Sequence, residues 1–494
     1  MVTGVESKNQ MNFATTECRQ QKFDFQGLGS RKVTADFSGG YLSSDAGGAL
    51  LLRELDRHLG LIDQLAGCFQ DLRFQPLVEH SVSELLRQRI GGLALGYEDL
   101  NDHDRLRLDP AHALMAGKQD VEGLDRFHEE DCGKALAAHS TLNRMELGAL
   151  GGDQKYKKII PRTGEIEDLL ITQGVKAIPR KSREIVVDFD ATDDPLHGEQ
   201  EGAYFNGYYK NYCYLPLYCF CGSIPLYAKL RDCKRDASDG TVQALEKIVR
   251  AIRKRFGKKV RIVLRGDSGF CRERIMAWCE QHRIYYCLGI ARNNRLGAQL
   301  EKTFAKLQGE LEEGKIEVPC REFKEFKYRT LDSWSRTRRV IGKAEILTKG
   351  ENPRYVVTNL PRRGFASDSD RARFASRRLY EEFYCARGDM ENRIKEQQQD
   401  LFADRTSSHW MAPNQLRLWF SAFAHLMLSV LRAEVLHSTR LAKATIGQIR
   451  LKLFKIAGRL KVSCRRIHIE LATACPYRDV FAQAHREFAQ LALG

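Results

Sequence analysis

The chain has 494 residues, 43% of them apolar, and a formal charge of +15. That length exceeds one core and suggests about three domains, while the charge points to a polyanionic partner, nucleic acid first. Fourteen cysteines without a C-x-x-C pair argue against a zinc ribbon or a thioredoxin-like centre. The start of the chain lacks the basic and apolar pattern of a signal peptide, so a cytoplasmic, reducing setting with no membrane partner is expected.

Residues 1–36 are polar and mixed and read as unordered. Residues 37–178 read as a helical region, a candidate for binding DNA ends or a plain support. Ser43, Ser44 and Asp45 offer an N-cap to a helix carrying Leu51, Leu52, Leu55 and Leu59. A second helix runs through Glu84-Leu-Leu-Arg-Gln-Arg-Ile90. Strand signals begin near Ile185, and the aromatic runs 203–209 and 212–221 read as a hairpin beside that strand. Helices are predicted at 240–255 and 272–281, with strands before and between them. The order β-β-β-α-β-α-β predicts an α/β fold, a mixed sheet with flanking helices, over 179–304.

Five short strand signals separated by Gly, Asn and Pro make 305–362 a β-rich insertion. Arg336, Arg338 and Arg339 within it are candidates to line DNA. Helices resume over 363–439. The apolar stretch 416–431 is interrupted by Arg417 and His425 and reads as too short and too polar to span a bilayer. From 440 to 494 the chain carries eleven Lys/Arg against three Asp/Glu. Seven of them lie between Arg450 and Arg466, interleaved with Leu451, Leu453, Ile456, Leu460 and Val462. This reads as a folded basic element anchored by its apolar residues.

Three carboxylates carry the chemistry. Asp190 ends the apolar run Glu184-Ile-Val-Val-Asp-Phe-Asp190, and Asp267 ends Arg261-Ile-Val-Leu-Arg-Gly-Asp267. The carboxyl edge of an α/β sheet is where ligands gather. Glu391 follows on a polar helical stretch, where Tyr384, Arg387, Glu391, Lys395 and Gln398 are spaced to share one face if the helix is continuous. Gly388 lowers helix propensity and allows the helix to begin only after it. Two acids at strand ends plus one on a later helix can converge on two divalent ions, roughly 4 Å apart, that clamp the attacking and leaving oxygens of a phosphoryl transfer. Asp188 shares a strand face with Asp190 and competes with it for the first position.

These residues resemble those of DDE transposases of bacterial insertion sequences. Tyr384-x-x-Arg387-x-x-x-Glu391 is similar to the Tyr-Arg-Glu signature of the insertion-sequence-four group. The stretches 39–47, 188–202, 205–209, 265–270 and 391–396 resemble the insertion-sequence family numbered thirteen-eighty. The likeness implies a ribonuclease-H-like core interrupted by a β-rich insertion, with Asp190, Asp267 and Glu391 as catalytic metal ligands. It further implies Mg²⁺, with Mn²⁺ able to substitute, and Tyr384 and Arg387 on the transposon end. The wider group carries a Lys seven residues after the Glu; here that position is Gln398, and Lys395 is the nearest base, a candidate DNA contact. The implied activity is cleavage at terminal inverted repeats and strand transfer into target DNA by a homo-oligomer, a dimer on paired ends. A ribonuclease-H-like nuclease that cuts without joining, and an inactive DNA-binding product of a decayed element, are the alternatives.

Overall fold

The computed structural model describes residues 23–28, 31–35, 42–150, 157–368 and 370–491. Its centre is a nine-stranded mixed sheet. Five strands come first in the chain: β1 (Glu184–Ala191), β2 (Leu217–Cys221), β3 (Ile224–Lys229), β4 (Arg261–Gly266) and β5 (Tyr285–Ile290). They lie in the order β3-β2-β1-β4-β5. The first three are antiparallel, and β4 runs parallel to both β1 and β5. This is the ribonuclease-H-like arrangement, so the expected fold class is borne out.

The β-rich insertion does not form a separate body. Its strands β6 (Cys320–Tyr328), β7 (Arg338–Leu347) and β8 (Arg354–Thr358) continue the same sheet beyond β5 in the order β8-β7-β6. The free edge of β5 carries unpaired backbone groups, and β8 satisfies them antiparallel. Two of the five strand signals merge into the single strand β7, and 294–312, which overlaps the start of the expected insertion, is a helix. Arg338 is buried between Glu273 and Glu280, and Arg339 is held by Glu325 and the carbonyls of Leu360 and Phe374. These two arginines are therefore structural; Arg336 remains exposed.

Alternation along β1 divides its side chains between two cores. Ile185, Val187 and Phe189 meet helices α2 (Thr163–Ala177), α3 (Thr241–Phe256), α4 (Glu273–Gln281) and α5 (Asn294–Glu312) on one face. In α3 the apolar residues Ala244, Leu245, Ile248, Val249 and Ile252 recur at helical spacing and supply one buried stripe. On the other face lies a helical run containing α6 (Gly388–Lys395), followed by α7 (Met411–Val430). The apolar stretch is longer than its sequence signal: Met411–Val435 is long and apolar enough to cross a membrane, yet 89% of its most apolar window is buried in the protein. It is the central core helix.

The N-terminal region is helical, as expected, but shares its core with α7. Helix α1 (Val82–Leu95), begun by a capping box between Ser81 and Glu84, packs directly on it. Ser44 does not cap a helix; its hydroxyl accepts from Ala46 N and donates to Asp109. Strand Leu42–Ser44 pairs with Gly458–Ser463 of the C-terminal segment. Where an unordered start was expected, Phe23–Leu28 and Arg31–Ala35 pair antiparallel; the remainder of 1–36 lies outside the described residues. Leu453, Ile456 and Leu460 anchor the C-terminal segment as expected, but Leu451 is 71% exposed.

Candidate active site

Strand register brings the two aspartates together. In the parallel pair of β1 and β4, Asp188 stands opposite Arg265 and Phe189 opposite Gly266. The next step places Asp190 beside Asp267 at the carboxyl edge. Asp267 ends its strand by capping a short turn, its Oδ1 accepting from Gly269 N at 2.8 Å. Asp190 is held by the last ladder positions of β1, opposite Tyr218 of β2.

Asp188 is already committed elsewhere. It is 3% exposed and forms a bidentate pair with Arg265, Nε to Oδ1 at 2.6 Å and Nη2 to Oδ2 at 2.7 Å. Arg265 Nη1 donates to the carbonyl of Phe383 at 2.6 Å. Both carboxylate oxygens of Asp188 face this guanidinium, so the pair ties β1, β4 and the helical run together. Of the two aspartates, only Asp190 points to the open edge.

The third acid arrives through Arg387. Residues 376–400 are helical throughout but change pitch: a π turn over Leu379–Tyr384, a 3-10 turn over Cys385–Arg387, α6, then a π turn over Glu396–Asp400. Gly388 keeps ordinary right-handed dihedrals and breaks nothing. Arg387 Nη1 donates to Asp190 Oδ2 at 3.1 Å and Nη2 to Glu391 Oε1 at 3.3 Å. Glu391 is half-exposed and Arg387 is largely covered.

Burial pushes the Asp190 carboxyl up to about 6; Arg387 pulls it down, while the charges of Asp267 and Glu391 push it further up. Burial disfavours the charged form of Arg387, but Asp190, Tyr384, Asp267 and Glu391 together outweigh it and hold the guanidinium charged. The edge is therefore a pocket of negative charge with one guanidinium as internal counter-ion. Carboxylate oxygens of this kind are the hard ligands that divalent cations take, but among the described residues these three acids do not bring their oxygens within 4.8 Å of one another.

Tyr384 reaches the same edge from above. A Cβ built on Gly289 would lie 2.6 Å from the Tyr384 hydroxyl and 3.0 Å from Ser268 N. Only glycine at 289 leaves room for the ring over the Asp267 turn. Burial lifts the Tyr384 phenol to about 12. Lys395 is exposed one turn beyond Glu391. Gln398 donates to the Asp193 carbonyl at 3.1 Å, pinning the segment that leaves β1. Sequence reasoning missed Gly289 and also Tyr209, whose hydroxyl donates to the Ala191 carbonyl at 3.3 Å. A glycine inside a strand was the available signal for the first.

A second group, Asp45, Asp109 and His112, brings one ligand atom from each residue within 4.8 Å of the others. Its acids are already engaged. Lys455 Nζ lies 2.9 Å from Asp45 Oδ2, and Asp109 accepts from the Ser44 hydroxyl and from the backbone N–H groups of Ala111 and His112.

Strand order and an acidic cluster at the carboxyl edge place the chain among ribonuclease-H-like enzymes. The family model described as Transposase DDE domain group 1 matches residues 25–493. The chain belongs to that family and is a transposase. No curated protein matches it. Among solved structures it is similar to piggyBac transposase in a synaptic complex with hairpin DNA. That similarity has 9% identity, 82% coverage of this chain, 80% coverage of that one and a TM-score of 0.41.

Proposed function

We infer that this transposase acts on DNA at the Asp190–Asp267–Glu391 edge, cutting at the ends of its element and joining them to target DNA. The observation that carries the reading is that Arg387 joins Asp190 to Glu391, with Asp267 next to Asp190 by strand register and Asp188 withdrawn into its pair with Arg265. Asp190, Asp267 and Glu391 would hold Mg²⁺, or Mn²⁺ in its place, which supplies charge neutralisation of the phosphodiester and a more acidic attacking water.

In the first reaction a water oxygen bonds to phosphorus and the bond to the 3′ oxygen breaks, leaving a 3′-hydroxyl and a 5′-phosphate. In the second, that 3′ oxygen gives up its proton and bonds to a target phosphorus, while the phosphorus bond to the target strand's own 3′ oxygen breaks and that oxygen leaves as a 3′-hydroxyl. Arg387, which donates to Asp190 and Glu391, would be placed to donate to two phosphate oxygens of DNA if those carboxylates held cations instead. Tyr384 covers the Asp267 turn and keeps the edge shaped for the substrate. Lys395 contacts the backbone of the element's end. The thirteen-eighty-type motifs at 39–47, 188–202 and 205–209 support an origin in a bacterial insertion sequence. With it come a cytoplasmic setting and a dimer on paired inverted repeats.

The test is an assay of end cleavage and strand transfer with Mg²⁺. Asp190→Asn, Asp267→Asn and Glu391→Gln should each remove both activities and leave end binding. Full cleavage by Glu391→Gln would overturn the site. Cleavage without joining by the unaltered chain would favour the nuclease reading.

A further inference from the structure

Between β1 and β2 the chain builds a small three-stranded sheet that the reactions above do not use. Tyr204–Asn206 and Asn211–Tyr214 form a hairpin, and Asp194–Pro195 pairs with its second strand. Phe205 and Tyr212 stand directly opposite each other in register, so both rings leave on the same face. They meet edge to face with centroids 5.7 Å apart. Phe205 is 59% exposed, Tyr212 57% and Tyr208, in the turn, 86%. Lys210 is exposed in the same turn, and Lys234 Nζ sits 3.6 Å above the ring of Tyr204.

This hairpin is rigidly built. Asn206 accepts at its side-chain oxygen from Tyr208 N at 3.0 Å and Tyr209 N at 3.3 Å, and its amide donates to the Cys233 carbonyl at 3.2 Å. Asn211 donates to Asp193 at 3.0 Å. Three rings held out into water by a well-bonded scaffold mark a binding face. The turn of the hairpin touches the candidate active site, since Tyr209 donates to the carbonyl of the residue after Asp190.

We propose that Phe205, Tyr208 and Tyr212 form a nucleobase-stacking site that receives unstacked bases of DNA beside the phosphodiester at the acidic edge. Aromatic faces accept any base, and Lys210, exposed in the turn between them, suits a flanking phosphate. That charge complementarity, together with the position next to Asp190, selects DNA over a protein as the occupant. The proposal rests on the reading above only for where the DNA lies.

The test uses the full chain and fluorescence anisotropy with two probes, a labelled duplex and the same duplex carrying a short central mispaired bubble. The unaltered protein should favour the bubble by about 10-fold. Phe205→Ala/Tyr208→Ala/Tyr212→Ala should bring the ratio to about 1 and leave binding of the paired duplex nearly unchanged. Tyr208→Phe/Tyr212→Phe should retain the preference, because the ring and not the hydroxyl stacks. Lys210→Gln should weaken both complexes together and flatten their salt dependence. A triple variant with the original ratio overturns the proposal, as does an unaltered protein without a preference. Self-association that the triple variant abolishes, with the bubble preference intact, assigns the face to a second copy and also overturns it. Retained preference in Asp267→Asn alongside failure of the cleavage tests counts against the acidic site alone.

Discussion

Asp188 and Asp190 share one face of one strand, yet their surroundings give them opposite duties. Asp188 is sealed against Arg265, whose remaining donor fastens the Phe383 carbonyl. Removing one partner of such a pair leaves a buried unpaired charge and costs about 3–5 kcal/mol. Asp188→Ala should therefore shift the urea midpoint sharply, and loss of cleavage should follow loss of folded protein. Asp190→Asn should behave in the reverse way. Its carboxyl sits near 6 in the folded chain, against about 3.9 in an unfolded one. The folded state thus holds a proton that the unfolded state has released between those values, so stability is lost as pH rises from about 4 to about 6. In chelator at pH 8, Asp190→Asn should be more stable than the unaltered chain by on the order of 2–3 kcal/mol. The gap should close below about pH 4. Thermal melts check this, and adding Mg²⁺ should stabilise only the unaltered protein.

At the scale of elements, the helical run over 376–400 decides whether the third acid reaches the edge. Two π turns flank α6, and such turns re-aim side chains by one extra residue. The spacing of Tyr384, Arg387 and Glu391 fitted one helical face, and the 3-10 turn and Gly388 carry the run through without a break. What sets Tyr384 over the Asp267 turn is the missing side chain at Gly289 on the neighbouring strand. Gly289→Ala should force the Tyr384 ring and the Ser268 backbone apart. Displacing a reacting centre by about 1 Å costs on the order of 100-fold in rate. Cleavage should fall by that order while DNA affinity, read by gel shift, holds.

At the scale of the whole molecule, the basic C-terminal segment divides its charges between structure and solvent. The Arg450 guanidinium bonds to the carbonyls of Leu93, Ala94 and Asp400, joining α1 to the end of the helical run. Lys455 binds Asp45 and Tyr97. Arg459 and Lys461 lean on Glu470. Arg465 and Arg466 project at the hairpin tip. Every phosphate that a cation neutralises steepens the fall of log affinity with log salt by about 0.9. Arg465→Gln/Arg466→Gln should therefore reduce the slope by up to about 2, equally for different DNA sequences. An unchanged slope in a folded variant would make the tip a solubilising surface only.

The strands of the core, their order along the chain and the acids at two of their ends were legible from local patterns. Alternation and apolar runs depend on near neighbours, and Asp190 and Asp267 each close such a run. The basic character of the chain and its β-rich insertion were legible for the same reason. Only the tertiary structure shows how the surroundings of Asp188 and Asp190 differ, because Arg265, which pairs with Asp188, lies on the next strand, 77 residues away. It also decided that the insertion continues the main sheet, since pairing of β8 with β5 depends on which edge lies open after folding. Arg387, expected from its motif as a DNA contact, also bridges Asp190 and Glu391 in the fold, and its link to Asp190 spans 197 residues that no local spacing encodes. The chain's own sequence determined which side chains stand at strand ends; the packing of the sheet against the 376–400 helical run determined which of them meet.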